Sequence, residues 1–158
     1  MKHFTLSLFL IFIGHVVLSQ FSFKTGSAEL DLNLNSINKE GKADLPKFKT
    51  DLKLSYNVSS KKLDQMFSLK MQPGEIYFAL EIANLTKKPI DDVIKSYQAN
   101  KDKGWGVIAK ELGIKPGSPE FHALKNKSKE KKAKGKSNAG GKGNSKGKGN
   151  GNSKGKKK

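Results

Sequence analysis

Histidine, cysteine and paired carboxylates are the side chains that most often perform acid–base, nucleophilic or metal chemistry, and this chain offers few of them. It contains no cysteine and three histidines, of which His3 and His15 fall within the first 19 residues and His122 lies far from them along the chain. The lack of cysteine excludes disulfides, thiol catalysis and zinc–thiolate sites. With His122 alone in the rest of the chain, a histidine triad or a multi-histidine metal site is also excluded.

Asp91 and Asp92 are the most conspicuous pair of carboxylates. Adjacent residues on a helix point about 100° apart, so these two cannot share a ligand well. Their place just after Pro89 is instead typical of a first helical turn, where acids complement the helix dipole. No phosphate-binding glycine loop, dinucleotide fingerprint or nucleophile elbow occurs. We therefore predict a protein that is not an enzyme, without catalytic residues, cofactor or metal. An enzyme that uses carboxylates alone is the alternative.

The lysines are the remaining side chains with a chemical role. All 31 basic residues are lysines, and 14 of them lie with a single acid in residues 125–158, which therefore carry a net charge of +13. Lysine is a compact, hydrated point charge without the planar fork of arginine, so this pattern favours diffuse attraction to anions over readout of base edges. The predicted polyanion-binding residues are Lys125, Lys127, Lys129, Lys131, Lys132, Lys134, Lys136, Lys142, Lys146, Lys148, Lys154, Lys156, Lys157 and Lys158.

The segment that carries these lysines has almost no apolar residues, and its sequence GNSKGK occurs at 143–148 and again at 151–156. Such a composition cannot bury enough surface to offset the chain entropy lost in folding. We predict a disordered Lys/Gly/Asn/Ser-rich basic tail over residues 125–158. The expected partners are anionic polymers or surfaces, namely glycolipid, extracellular nucleic acid or acidic polysaccharide. A solubilising extension without a dedicated partner is the simpler alternative.

The N-terminus has the layout of an export signal. Lys2 precedes an apolar stretch from Phe4 to Leu18, and a small residue follows it. The stretch is shorter than the roughly 20 residues needed to span a membrane. Residues 1–19 are therefore predicted to be a signal peptide that is cleaved before Gln20. The mature protein is expected to be periplasmic or secreted, monomeric and without a transmembrane segment, and to begin with a linker over residues 20–27.

Apolar residues between these two ends recur at helical spacing. Two sets follow the i, i+3, i+4, i+7 pattern, one beginning at Ile90 and the other at Trp105. The sequence predicts a mostly α fold, a small helical bundle-like domain over residues 28–124. Residues 28–42 alternate in part like a strand, and IYFALEI (76–82) is apolar enough for a buried strand, but helix is favoured for both because the surrounding segments are helical.

Trp105 stands between two glycines and has two interpretations. An exposed indole between flexible residues would be a platform for a ligand. A tryptophan in phase with Ile108 and Leu112 would instead fill the core, which we favour because indole buries a large area. Gly113 is placed for a left-handed helix stop. Trp105, Ile108, Leu112 and Gly113 are therefore predicted to be structural.

The stretch VIAKELGI (107–114) resembles the first half of a helix-turn-helix. The connection KPGSP that follows is longer than usual, and the helix expected after it is short and offers no arginine or glutamine for base edges. Packing is the simpler explanation of the turn. A nucleic-acid-binding protein that uses residues 105–124 together with the basic tail is the alternative function.

Residues 73–125 resemble, as a block, a family of small exported bacterial proteins with a lysine-rich C-terminal tail. The segments that carry the resemblance are PGEIYFALEI, DDVIKSY and GWGVIAKELGIKPGSPEFHALK. The resemblance implies bacterial export and a helical domain, and it implies no activity or functional residue. The leading prediction is thus an exported, non-enzymatic interaction protein whose tail binds anionic polymers non-specifically.

Overall fold

The computed structural model of the chain describes residues 21–139, and every regular element within that range is an α-helix. The helices are α1 (Ala28–Ala43), α2 (Leu45–Tyr56), α3 (Ser60–Ser68), α4 (Pro73–Thr86), α5 (Ile90–Asn100), α6 (Trp105–Glu111) and α7 (Pro119–Ala139). The prediction of a mostly α domain is confirmed, and the strand alternatives for residues 28–42 and 76–82 are wrong. The predicted signal peptide, residues 1–19, lies outside the described residues.

Capping side chains account for where several of these helices begin. The side-chain oxygens of Asp44, Ser59 and Ser118 each accept a hydrogen bond from a backbone N–H group in the turn that follows. Each cap satisfies one of the N–H groups that have no partner at a helix start. Asp91 and Asp92 lie in the first turn of α5, where their charge complements the helix dipole.

Helix α4 is the centre of the domain. Its residues from Pro73 to Ile82 are all buried, and α1, α5 and α7 pack around it. Leu34 of α1 is fully buried against this helix, and burial of a side chain of that size contributes about 1.5–3 kcal/mol. Gly74 allows the close approach of the two helices, because a Cβ atom there would lie 2.8 Å from the carbonyl oxygen of Leu34.

Trp105 belongs to the core. Its side chain is 2% exposed, and its ring centroid lies 5.4 Å from those of both Phe78 and Tyr97. Ile108 and Leu112 are also buried, so the structure contains no exposed indole platform. Gly113 follows α6 with a φ of 105°, a backbone conformation that residues with a Cβ rarely adopt.

The segment before α1 is not the linker that we expected over residues 20–27. Phe23 is 1% exposed, and the backbone carbonyls of Phe23 and Lys24 accept hydrogen bonds of 2.9 Å from the N–H groups of Trp105 and Gly106. These bonds satisfy two N–H groups at the start of α6 that have no partner within the helix. Residues 21–27, the docked strap, are therefore an integral part of the domain.

The boundary predicted between residues 124 and 125 is also wrong. Helix α7 continues through Lys125 to Ala139, so this part of the predicted basic tail is helical. It packs on α1 and α4 with Leu124 and Ser128 fully buried. A prediction based on composition looks for an apolar stripe, and these turns have none. They are docked instead by ion pairs and by one buried serine, Ser128. Residues 140–158, the distal segment, lie outside the described residues, and so does the prediction that they are disordered.

Candidate functional site

The lysines of α7 form two rows at helical spacing on either side of its buried seam. Residues three and four apart on a helix are neighbours, so positions i, i+4 and i+7 share one side. The α1 row is Lys125, Lys129 and Lys132, and the cleft row is Lys127, Lys131 and Lys134. Of the other predicted polyanion-binding residues, Lys136 has a helical backbone, whereas Lys142, Lys146, Lys148, Lys154, Lys156, Lys157 and Lys158 lie outside the described residues.

The α1 row docks α7 on the first turns of α1. The Nζ of Lys125 lies 2.8 Å from Oε2 of Glu29, and Lys132 donates a 3.0 Å hydrogen bond to Oδ1 of Asn33. The hydrogen bond from Lys125 lowers the pKa of Glu29, and the charges of Lys129 and Lys132 act in the same direction. Lys125 and Lys132 therefore stabilise the packing of α7 on α1.

The cleft row borders a cleft of 420 Å³ that α7 forms with α1, α2 and α4. Lys131 is tied to the cleft wall, because its Nζ lies 3.6 Å from carboxylate oxygens of both Glu40 and Asp51. Lys127 and Lys134 are exposed, and neither has an ion-pair partner among residues 21–139. The two ends of this row therefore present their charge to solvent and to the cleft.

A buried carboxylate with two phenols lies at the floor of this cleft. Tyr56 Oη and Tyr77 Oη donate hydrogen bonds of 2.5 and 3.2 Å to Oε1 of Glu81. Glu81 is 5% exposed, and its Oε2 has no hydrogen-bond partner in the described chain. Burial, together with the charge of Glu81, raises the pKa of both tyrosines well above the usual value, so that the phenols remain donors. Oε1 of the carboxylate thus accepts two hydrogen bonds, whereas Oε2 is buried and accepts none from the described chain.

Glu75, the other buried acid of α4, is fully used by contrast. Its Oε1 accepts a 3.1 Å hydrogen bond from Nε1 of Trp105, and its Oε2 accepts one of 2.7 Å from the backbone N–H of Gln72. Burial raises the pKa of Glu75, while hydrogen bonding from Gln72, Trp105 and the Tyr97 side chain acts in the opposite direction. Glu75 therefore has a structural role that joins the start of α4 to the core tryptophan.

Helices α6 and α7 do not pack as the helix-turn-helix-like unit that was the alternative interpretation of residues 105–124. The helix after KPGSP is not short, since α7 has 21 residues. It packs on α1 and α4, whereas α6 packs on α5. The turn at KPGSP joins a helix that packs on α5 to a helix that packs on α1 and α4.

None of the motifs in the sequence points to Glu81, Tyr56 or Tyr77. A signal for Glu81 is nevertheless present, because a helix that is apolar nearly all round must bury any acid within it. The segment PGEIYFALEIANLT contains two such acids, Glu75 and Glu81. The tyrosine partners carry no comparable signal, since Tyr56 is 25 residues away from Glu81 in the sequence.

Comparison of the chain with family models, with curated proteins and with solved structures gives no match. The resemblance to small exported bacterial proteins therefore stays a prediction. Over residues 21–139, no group of three or more histidine, aspartate or glutamate side chains is placed to hold a metal ion. None of the helices in this range combines the length and the apolar composition that crossing a membrane requires.

Proposed function

We propose that the protein is an exported, non-enzymatic interaction protein whose C-terminal lysines bind anionic polymers or surfaces without sequence specificity. The observation that carries the proposal is the segregation of charge: residues 125–158 hold a net charge of +13, and the other 124 residues hold +4. Lys127, Lys129 and Lys134 are exposed on α7, so they extend the cationic surface from the distal segment onto the domain.

The distal segment would attract an anionic polymer through its high density of positive charge. Residues 140–158 contain seven lysines and no acid. Binding to duplex DNA releases counterions, and the slope of log affinity against log salt is about −0.9 per phosphate neutralised, hence about −6 if all seven lysines engage. Because an ammonium group is a hydrated point charge, we expect DNA, acidic polysaccharide and anionic glycolipid to compete for the same lysines.

Export is the second part of the proposal, and the docked strap sets a limit on where processing can occur. Cleavage before Gln20 would leave residues 21–27 in place, whereas a cut a few residues later would remove Phe23 from the core. We expect the protein recovered outside the cytoplasm to begin at or near Gln20. Intact-mass measurement of that fraction is the test, and a mass that includes Met1 would contradict cleavage.

The binding test removes residues 140–158 and leaves α7 complete. A cut at residue 126 would be uninformative, because it would also remove the buried Ser128 and expose Leu124. The mature chain, the chain ending at Ala139 and a variant with the seven distal lysines changed to glutamine are titrated with heparin, duplex DNA and anionic vesicles at several salt concentrations. The matched control keeps the composition of residues 140–158 but scrambles their order.

We expect the mature and scrambled chains to bind all three polyanions with a steep salt dependence, and the other two variants to bind far more weakly. If the chain ending at Ala139 bound one DNA sequence with a shallow salt slope, the alternative of a nucleic-acid-binding protein that reads through residues 105–124 would replace this proposal. If none of the chains bound any polyanion, the basic segment would be a solubilising extension.

A further inference from the structure

A buried oxygen without a partner belongs to Glu81, one of the residues that line the cleft. Oε2 of Glu81 has less than 1 Å² of exposed surface and accepts no hydrogen bond from residues 21–139, while Oε1 is held by two phenols. A buried polar atom without a donor is costly, so its presence in a fold needs a reason. The reason found for Glu75, attachment of a helix start to the core, does not apply here, because Glu81 lies in the middle of α4.

The cleft above this carboxylate has the size of a small-molecule site and charges of both signs. Its 420 Å³ falls within the range of about 300–1,000 Å³ that is usual for ligand pockets. Its charged lining residues are Glu40, Asp51, Glu81, Glu130, Lys47, Lys127, Lys131 and Lys134. Lys47 and Lys131 are paired with acids of the wall, which leaves two cations, Lys127 and Lys134, and one anion, Glu130, exposed at the rim without an ion-pair partner in the described chain.

These two features together define the chemistry of a ligand. A buried carboxylate oxygen is best satisfied by a charged donor, because hydrogen bonds between ionised groups are about twice as strong as those between neutral ones. The two unpaired lysines outnumber Glu130 at the rim, so the rim repels a simple cation and attracts a ligand that carries an anionic group as well. We propose that the cleft binds a small zwitterion, with an ammonium group that donates to Oε2 of Glu81 and an anionic group beside Lys127 and Lys134.

Free α-amino acids are the simplest members of this class of ligand. Because Oε2 is shielded from solvent, the ligand must displace part of the lining. The exposed lysines of the cleft row can move to meet the ligand, since each ammonium group is carried on a flexible four-carbon stem. Glu81 is held by Tyr56 and Tyr77 and keeps its position. Helix α7 stays docked, because the α1 row makes its contacts on the other side of the helix.

The test is calorimetric titration of the mature chain with each of the common free α-amino acids, at a salt concentration that suppresses polyanion binding. For any amino acid that binds, its N-acetyl derivative and its amide are titrated as well. We expect both derivatives to bind at least about tenfold more weakly, because each lacks one of the two charges that the cleft recognises. If no amino acid binds, or if the derivatives bind as well as the parent, the proposal is wrong.

Variants assign the two charges to the two ends of the cleft. Glu81→Gln keeps the size of the side chain and should weaken amino-acid binding by about tenfold or more, because the ammonium group loses its ionic acceptor. Lys127→Gln with Lys134→Gln should abolish the preference for the parent over the amide. The matched control is Lys129→Gln, which removes the same charge from an exposed position on the same helix that does not line the cleft.

Thermal unfolding of each variant separates a binding defect from a folding defect. Glu81→Gln should unfold at or above the temperature of the unchanged chain, because it removes a buried charge that lacks a full set of donors. A folded Glu81→Gln variant that binds amino acids unchanged would overturn the assignment of the ammonium site. Equal losses in the Lys129→Gln control and the cleft-row variant would show a general charge effect and would overturn the assignment of the anionic site.

Discussion

Replacement of Trp105 by phenylalanine tests how the core is tied to its central helix. The substitution keeps an aromatic ring beside Phe78 and Tyr97, but it removes the indole N–H that donates to Glu75 at 3.1 Å. Glu75 is 4% exposed, so the oxygen that loses this donor cannot turn to water. The backbone N–H of Gln72 remains bonded to the other oxygen. Trp105→Phe therefore removes one identified hydrogen bond and part of the volume of one aromatic side chain.

We expect Trp105→Phe to lower the free energy of unfolding by about 2–4 kcal/mol. A hydrogen bond to a charged, buried acceptor contributes about 1.5–3 kcal/mol, and the smaller ring leaves a cavity that adds to the loss. Trp105→Ala would remove about 3–5 kcal/mol of packing in addition to the hydrogen bond, which is a large share of the stability of a small domain. The phenylalanine variant is thus the more informative change, because it should remain folded.

The assay is denaturant unfolding followed by far-ultraviolet circular dichroism, since the only tryptophan is lost in the variant. Glu75→Gln and the double variant complete a mutant cycle, in which we expect a coupling energy of about 0.5–3 kcal/mol between the two positions. A Trp105→Phe variant within about 0.5 kcal/mol of the unchanged chain would refute the reasoning, because that is the range expected of substitutions without a structural role. Additive effects in the cycle would refute the hydrogen bond.

Three further changes test other parts of the domain. Phe23→Ala in the docked strap should lower the free energy of unfolding by about 3–5 kcal/mol in denaturant titrations, whereas removal of a flexible linker residue would have no effect. Leu124→Ala should cost about 2–5 kcal/mol and increase hydrogen exchange in α7, and unchanged exchange would contradict the docking of that helix. Burial raises the pKa of Glu75 above 4.5, so its protonation favours the folded state below that pH and this contribution is lost as the pH rises. The melting temperature of the unchanged chain should therefore fall relative to Glu75→Gln as the pH rises above 4.5, and a constant difference would contradict the shift.

Local signals in the sequence were sufficient for most of the helices. The apolar residues from Ile90 and from Trp105 recur every three or four positions, and proline, serine or aspartate marks several helix starts. These features act within a few residues of one another, so they can be read without knowledge of the partner helices. The helical state of residues 28–42 and 76–82 follows less directly, because both segments also fit a strand.

Contacts between distant residues account for what the sequence did not reveal. The docked strap is held by carbonyl groups of Phe23 and Lys24 that bond to the start of α6, and a backbone contact of this kind has no side-chain signature. The last turns of α7 are held in part by Lys132 and Asn33, which are 99 residues apart. The cleft likewise depends on Tyr56 meeting Glu81 across two helices. A pattern based on periodicity or composition contains none of this information.

Helix α7 carries lysines that dock it on α1 and lysines that are exposed, and their geometry keeps the two sets separate. Lys125 and Lys132 are half-buried against α1, and the seam beneath them contains the fully buried Leu124 and Ser128. Salt screens exposed charges far more than buried contacts, so the binding of a polyanion to exposed lysines should weaken at salt concentrations that leave α7 docked. On the function proposed above, the domain would release an anionic partner without unfolding its last helix. A lysine-rich composition therefore does not by itself predict which lysines of α7 are held, because their partners Glu29, Asn33, Glu40 and Asp51 lie on α1 and α2.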